Sequence, residues 1–134
     1  MKGRGKVQGF TLIEIMIVVT IIILLAGIAI PSFIRARQRT QGSTTLNGAR
    51  MLDSAIDQWA IENAIDNGTA IVLQSLAIYI VQPGPMQAFL AAGVTPTDAL
   101  SNEYVFAVVG AGQLQIHPAT KASLAGAVTD WGPY

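Results

Sequence analysis

From Phe10 to Ile34 the chain runs for 25 residues with a single charge, Glu14. Between Ile15 and Ile30 the only residues that are not strongly apolar are Thr20 and the small Ala26, Gly27 and Ala29. A helix rises about 1.5 Å per residue, so roughly 20 such residues cross the hydrocarbon core of a bilayer. A helix that is apolar on every side must be buried in lipid or among other helices. This stretch therefore reads as one membrane-buried helix, and it leaves residues 35–134 for everything else.

Charge supports that division. Charged residues make up 12% of the chain, against about 25% in soluble domains. The formal net charge is zero but unevenly spread, because Lys2, Arg4 and Lys6 all precede the apolar run. Without residues 1–9 the chain holds five basic and eight acidic residues, a net charge of −3. A nucleic-acid partner needs Lys and Arg clustered on a folded face, so none is expected. There is no cysteine, which excludes disulfides and thiolate metal sites and leaves the redox compartment open.

The N-terminus has the basic start of a secretory signal, but the rest departs from one. A secretory signal has an apolar region of about 7–15 residues followed by a small-residue cleavage site. Here the run is longer, and Ala26-Gly27-Ile28-Ala29 lies inside it. The small residue comes before the run, at Gly9, followed by Phe10-Thr11-Leu12-Ile13-Glu14.

That string, with its basic leader and uninterrupted apolar helix, resembles the prepilin-type signal of type IV pilins and type II secretion pseudopilins. The resemblance extends through Pro31 and toward Thr40. It implies cleavage after Gly9 by a dedicated prepilin peptidase on the cytoplasmic side and N-methylation of Phe10. It also implies retention of the apolar helix in the mature protein. Taken singly, Gly9 reads as a linker glycine, Phe10 as an interfacial aromatic and Glu14 as a carboxylate at the membrane surface. Together they have a physical logic. A carboxylate at the hydrocarbon edge is costly, and cleavage places a new amine on Phe10 at the same depth. Glu14 of one subunit can pair with the Phe10 amine of a neighbour, which reduces the cost of burying both and sets axial register.

Pro31 removes one helical hydrogen bond. Because Arg35, Ala36, Arg37 and Gln38 are good helix formers, a kinked or locally melted helix that resumes is expected. The family commonly has a proline here, with the helix extended in the membrane and loosened in the filament. Arg35, Arg37 and Arg39 equal the three leader charges in number, so the positive-inside rule assigns no orientation. The cytoplasmic side of the leader follows from the resemblance alone, and a solvated juxtamembrane cluster is the plain reading of the arginines.

From Ser43 the pattern becomes amphipathic. Leu46, Ala49, Leu52, Ile56, Trp59, Ala60 and Asn63 recur at three- and four-residue spacing, the mark of one buried helical face. Leu52, Ile56 and Trp59 are the expected core of the head; for Trp59, packing outweighs ligand stacking. Gly42 and Gly48 read as weak points, each costing roughly 1 kcal/mol against alanine, with a bend or break expected near Gly42. Asp66-Asn67-Gly68 has turn chemistry that ends the helix. Beyond it, Ile71–Ile80 and Met86–Ala92 read as short helices separated by Pro83-Gly84-Pro85. Glu103–Val109 and Gln113–Ile116, joined by Gly110-Ala111-Gly112, read as a β-hairpin. Such a hairpin is marginal alone and needs the Leu52/Ile56/Trp59 face. Residues 118–134 read as irregular.

The expected fold is α+β. It has a leader (1–9), a transmembrane or filament-core helix (10–41), an amphipathic continuation (42–66) and a small head (67–134) of short helices with a reduced sheet. No catalytic constellation is found. His117 is alone, and one histidine without cysteine partners makes no zinc site. Asp98 and Asp130 lack the spacing of a calcium loop, so neither metal nor cofactor is expected. The reading is a structural subunit that assembles with itself or other pilins and needs the prepilin peptidase, an assembly platform protein, its ATPase and inner-membrane lipid. It would sit as a single-pass inner-membrane protein with a periplasmic head, then in a pilus or a periplasmic pseudopilus. The rivals are a single-pass anchored binding protein that never polymerises and, more remotely, an anchored enzyme.

Overall fold

The computed structural model describes residues 9–80, 84–110 and 112–134. Leader residues 1–8, Pro83 of the helix-breaking triplet and Ala111 of the hairpin turn lie outside them. The chain divides into two compact units, residues 1–36 and 37–134. Helix α1, Leu12–Glu62, contributes to both.

In the first unit α1 begins behind Thr11. The Glu14 amide donates to Thr11 Oγ1 at 3.3 Å and to the Thr11 carbonyl at 3.2 Å, so Thr11 is the N-cap. The next two polar side chains are satisfied by their own helix. Thr20 Oγ1 donates to the Met16 carbonyl at 2.7 Å and Ser32 Oγ to the Ala29 carbonyl at 2.8 Å, which removes the cost of placing a hydroxyl in hydrocarbon. Pro31 lies inside the helix, which is unbroken on both sides. No residue of the apolar stretch is buried.

The second unit is built on the later turns of α1. Gly42, Thr45, Gly48, Ala49, Leu52, Ala55, Ile56 and Trp59 are buried, a continuous three- and four-residue repeat that lies on one face. Asn63, expected on that face, is exposed. The helix does not break at Gly42, and both glycines are seats for the head. A Cβ at Gly42 would stand 2.2 Å from Val128 Cγ2, and one at Gly48 would stand 2.5 Å from the Tyr104 hydroxyl. The helical propensity lost at these glycines is exchanged for close approach.

Helix α1 closes at Glu62, six residues before Gly68. Ala64 takes a left-handed φ of 49°, the Ile65 amide donates to the Ala60 carbonyl at 2.9 Å and the Ala64 amide to the Ile61 carbonyl at 3.4 Å. This is a Schellman motif with alanine where glycine is usual.

The head then adds α2 (Leu73–Leu76), one 3-10 turn (Ala77–Tyr79), α3 (Pro85–Ala91), β1 (Val105–Phe106), β2 (Leu114–Gln115) and α4 (Pro118–Ser123). Helix α3 has proline at its first position, where the missing N–H costs nothing. It ends in the same Schellman pattern as α1, here with Gly93 at φ 70° and the Val94 amide on the Phe89 carbonyl at 2.8 Å. Strands β1 and β2 are antiparallel, with Val105 opposite Gln115 and Phe106 opposite Leu114. The hairpin is shorter than its apolar pattern suggests, but single bridges, Ala70 to Val108 and Thr97 to Glu103, extend the pairing on the β1 side. Helix α4 replaces the irregular segment expected after residue 118. His117 Nδ1 accepts from the Ala119 amide at 3.2 Å and Pro118 occupies the first turn, so the lone histidine is a helix cap. Leu76, Leu90, Tyr104, Val109, Leu114 and Ile116 close over Leu52, Ile56 and Trp59. Each large apolar side chain buried in this way contributes about 1.5–3 kcal/mol.

Candidate functional site

Gly9 and Phe10 precede the first helical turn and are exposed, Phe10 by 79%. The peptide bond between them lies outside the helix, between two exposed residues. Glu14 is at the third helical position, Thr11 at the cap. The spacing Thr-x-x-Glu is that of a capping box, a signal in the sequence that the expectations above did not use. A carboxylate in the first turn also opposes the positive end of the helix dipole. Glu14 therefore has a local role in starting the helix besides any role between subunits. After it, exposed large apolar side chains continue from Ile15 to Ile34. A surface of this kind has no stable place in water.

The head carries several polar clusters. Tyr104 donates to the Thr45 carbonyl at 2.9 Å. Burial, with the charge of Asp98 second, pushes its phenol well above the usual range. Thr45 is itself buried and its Oγ1 has no hydrogen-bond partner among the described residues. Gln113, only 5% exposed, donates through Nε2 to Asp53 Oδ1 at 2.9 Å and Asp57 Oδ1 at 2.8 Å. Its Oε1 accepts from the Gly110 amide at 3.0 Å. One buried amide thus ties the hairpin turn to two carboxylates of α1. Tyr134 donates to Asp53 Oδ2 at 3.3 Å, and desolvation followed by the charge of Asp53 raises its pKa. Tyr79 donates to Glu62 Oε2 at 2.8 Å, and that bond is the first cause of its raised pKa.

Asp98 and Asp130, weighed above as calcium ligands, serve loops. Asp98 Oδ1 accepts from the amides of Leu100 and Asn102 at 2.8 and 3.0 Å, and its Oδ2 accepts from the Thr120 hydroxyl. Donors fill the positions a cation would take. Asp130 Oδ1 accepts from the Gly132 amide at 2.8 Å. Among the described residues no three His, Cys, Asp or Glu side chains are grouped to hold a metal.

The chain thus combines a capped helix that is apolar all round and long enough to cross a membrane with a small packed head. The prokaryotic N-terminal methylation motif matches residues 4–30. The chain is 26% identical to type II secretion system core protein G of Escherichia coli over 98% of this chain and 96% of that one. It is 26% identical to core protein G of Vibrio cholerae over 79% of this chain and 74% of that one. With the type IV major pilin protein PilA of Myxococcus xanthus it shares 50% identity over 36% of this chain and 22% of that one. No solved structure matches. Together these likenesses support the type IV pilin and type II secretion pseudopilin family.

Proposed function

We propose that this chain is a structural subunit of a type IV pilus-like filament, without enzymatic activity of its own. It enters the inner membrane as a prepilin with its head in the periplasm. It is cleaved after Gly9, methylated at Phe10 and polymerised through the apolar helix, with Pro31 as the point where that helix yields. The observation that carries this reading is the exposed apolar stretch from Ile15 to Ile34 beneath a methylation-type N-terminus. Lipid covers it before assembly and neighbouring helices cover it afterwards. Both environments are apolar, so burial alone supplies little drive for leaving the membrane. An energy-driven assembly platform with its ATPase is therefore required, along with the peptidase and other copies or other pilins. Glu14 of one subunit pairs with the Phe10 amine of the next.

The likeness to core protein G runs through the head, whereas that to PilA covers about a third of this chain. That extent favours a second, narrower reading, a pseudopilin in a periplasmic pseudopilus. Intact mass in sheared surface material and in membranes of the native cell tests both. The expected mass is that of residues 10–134 plus one methyl group. Recovery in the sheared fraction selects a surface pilus, and confinement to membranes favours a pseudopilin or an unassembled pool. A chain still carrying residues 1–9 would leave the plain anchor as the better account.

A further inference from the structure

Helix α1 carries two charged pairs with identical spacing. Arg35 and Arg39 stand four residues apart, as do Asp53 and Asp57. A four-residue step returns to nearly the same face of a helix, so each pair forms a short stripe. All four lie within the helix. Arg37, two residues from each arginine, points about 200° away.

The acidic stripe is held in place without being neutralised. Gln113 Nε2 donates to one oxygen of each carboxylate, fixing both side chains. Among the described residues Asp57 Oδ2 accepts no hydrogen bond, and Asp57 is exposed. Arg50 exerts a field at the adjacent Tyr134 but forms no ion pair with either aspartate among the described residues. The arginine stripe follows directly on Ile34, the last residue of the apolar run. If that run is packed against other helices, the guanidiniums at its end are packed near them too, and a buried unpaired cation is costly.

Resting on the filament reading above, we infer that the Arg35/Arg39 stripe of one copy docks on the Asp53/Asp57 stripe of a second copy of this chain. In a filament the helices of identical subunits run parallel with an axial shift. When each residue lies opposite the one 18 positions further along its neighbour, Arg35 meets Asp53 and Arg39 meets Asp57 together. Arg37 then faces the position of the buried Ala55 and Arg50 that of Ser32, so no like charges meet. Within α1 no other parallel register sets two arginines of one copy on two acids of the other; shifts of 23 and 25 also make two contacts, but one at each end of the overlap, on Glu14 of one copy and Glu62 of the other. A shift of 27 pairs Arg35 with Glu62, but its second acid, Asp66, lies beyond the helix end. The register is thus specified by charge at two points, which an apolar surface cannot do for itself.

The chain has no cysteine, so introduced thiols report contacts cleanly. In filaments from the full chain, Arg39→Cys with Asp57→Cys should give a ladder of covalent multimers under a short thiol cross-linker. Arg37→Cys with Asp57→Cys, on the wrong face, should give a background level. Near-UV circular dichroism of the head tyrosines checks that Asp57→Cys leaves the head folded. Independently, Arg35→Glu with Arg39→Glu, which touches no head contact, should lower filament yield by about tenfold while processing continues. Filaments that form but give no ladder above the control overturn the register alone. A reversal variant that keeps full filament yield but loses binding to vesicles containing phosphatidylglycerol overturns it in favour of an anionic lipid headgroup. If the unmodified chain forms no filament under conditions in which it is processed, the filament reading falls and the register falls with it.

Discussion

The two compact units treat one helix in opposite ways. Between Leu12 and Ile34 no side chain is buried. Between Gly42 and Trp59 eight residues are buried, several completely. The first stretch is more apolar than the second, yet the chain provides it with no cover. The second is half polar, and the head closes over it. Hydrophobicity alone therefore does not predict internal packing. The first unit is apolar all round and needs partners on every side, whereas the second confines its apolar residues to one face. The contrast separates surface made for folding from surface made for lipid and neighbours.

The largest expected effect compares two leucines. Leu52→Ala should lower head stability by about 3 kcal/mol, since it leaves a cavity beneath Ile56 and Trp59. Leu24→Ala should move it by less than about 0.5 kcal/mol. Urea unfolding of the full chain in detergent, followed by near-UV circular dichroism, measures both. Equal effects would break the comparison.

Two glycines sharpen it. Gly48→Ala drives a methyl into the Tyr104 hydroxyl and should cost about 1–2 kcal/mol, with strain outweighing the gain in helical propensity. Gly27→Ala meets nothing within 4 Å and should raise helix content, by up to about 1 kcal/mol locally. Opposite signs at two glycines of one helix are the result to look for by unfolding and far-UV circular dichroism.

Tyr104 gives a pH signature confined to the head. Its folded pKa lies above the ordinary value of 10.0, so folding favours the neutral phenol. The associated stability is fully present below about pH 10 and is lost as pH rises toward the folded pKa. Tyr79 and Tyr134 shift the same way. Absorbance titration should show delayed tyrosine ionisation together with alkaline destabilisation, and Tyr104→Phe should remove the largest part of that dependence.

The smallest effect lies at the end of α1. Ala64→Gly should stabilise by about 0.5–1 kcal/mol, since glycine relieves the left-handed strain that alanine bears. Gly93→Ala in the matching motif of α3 should do the reverse, measured by the same unfolding transition.

What the sequence made legible follows the range of the interactions involved. The apolar run, the amphipathic face and the helix-breaking Pro83-Gly84-Pro85 are local patterns, and they gave α1, α2, α3 and the hairpin. Helix α4 was also local: Pro118 at the first position after a capping residue signalled it, and the absence of apolar periodicity hid it. Gly42 and Gly48 could not be read as seats, because the residues they seat, Val128 and Tyr104, lie far along the chain. The same holds for Gln113, a polar residue in a strand pattern whose burial depends on two aspartates of α1. In the N-terminal segment Gly9, Phe10 and Glu14 were legible as a motif. The capping role of Thr11 was there to be read in its spacing from Glu14.

Tyr104 reaches Thr45 across 59 residues, Gln113 reaches Asp53 across 60, and Tyr134 reaches Asp53 across 81. The face that these residues cover is made well before its cover exists. Long-range closure is slow, and waiting apolar surface is vulnerable. Helix α1 from Gly42 to Trp59 must pass that interval as an open amphipathic strip. The pace at which residues 104–134 follow it then becomes a determinant of how much of the chain folds.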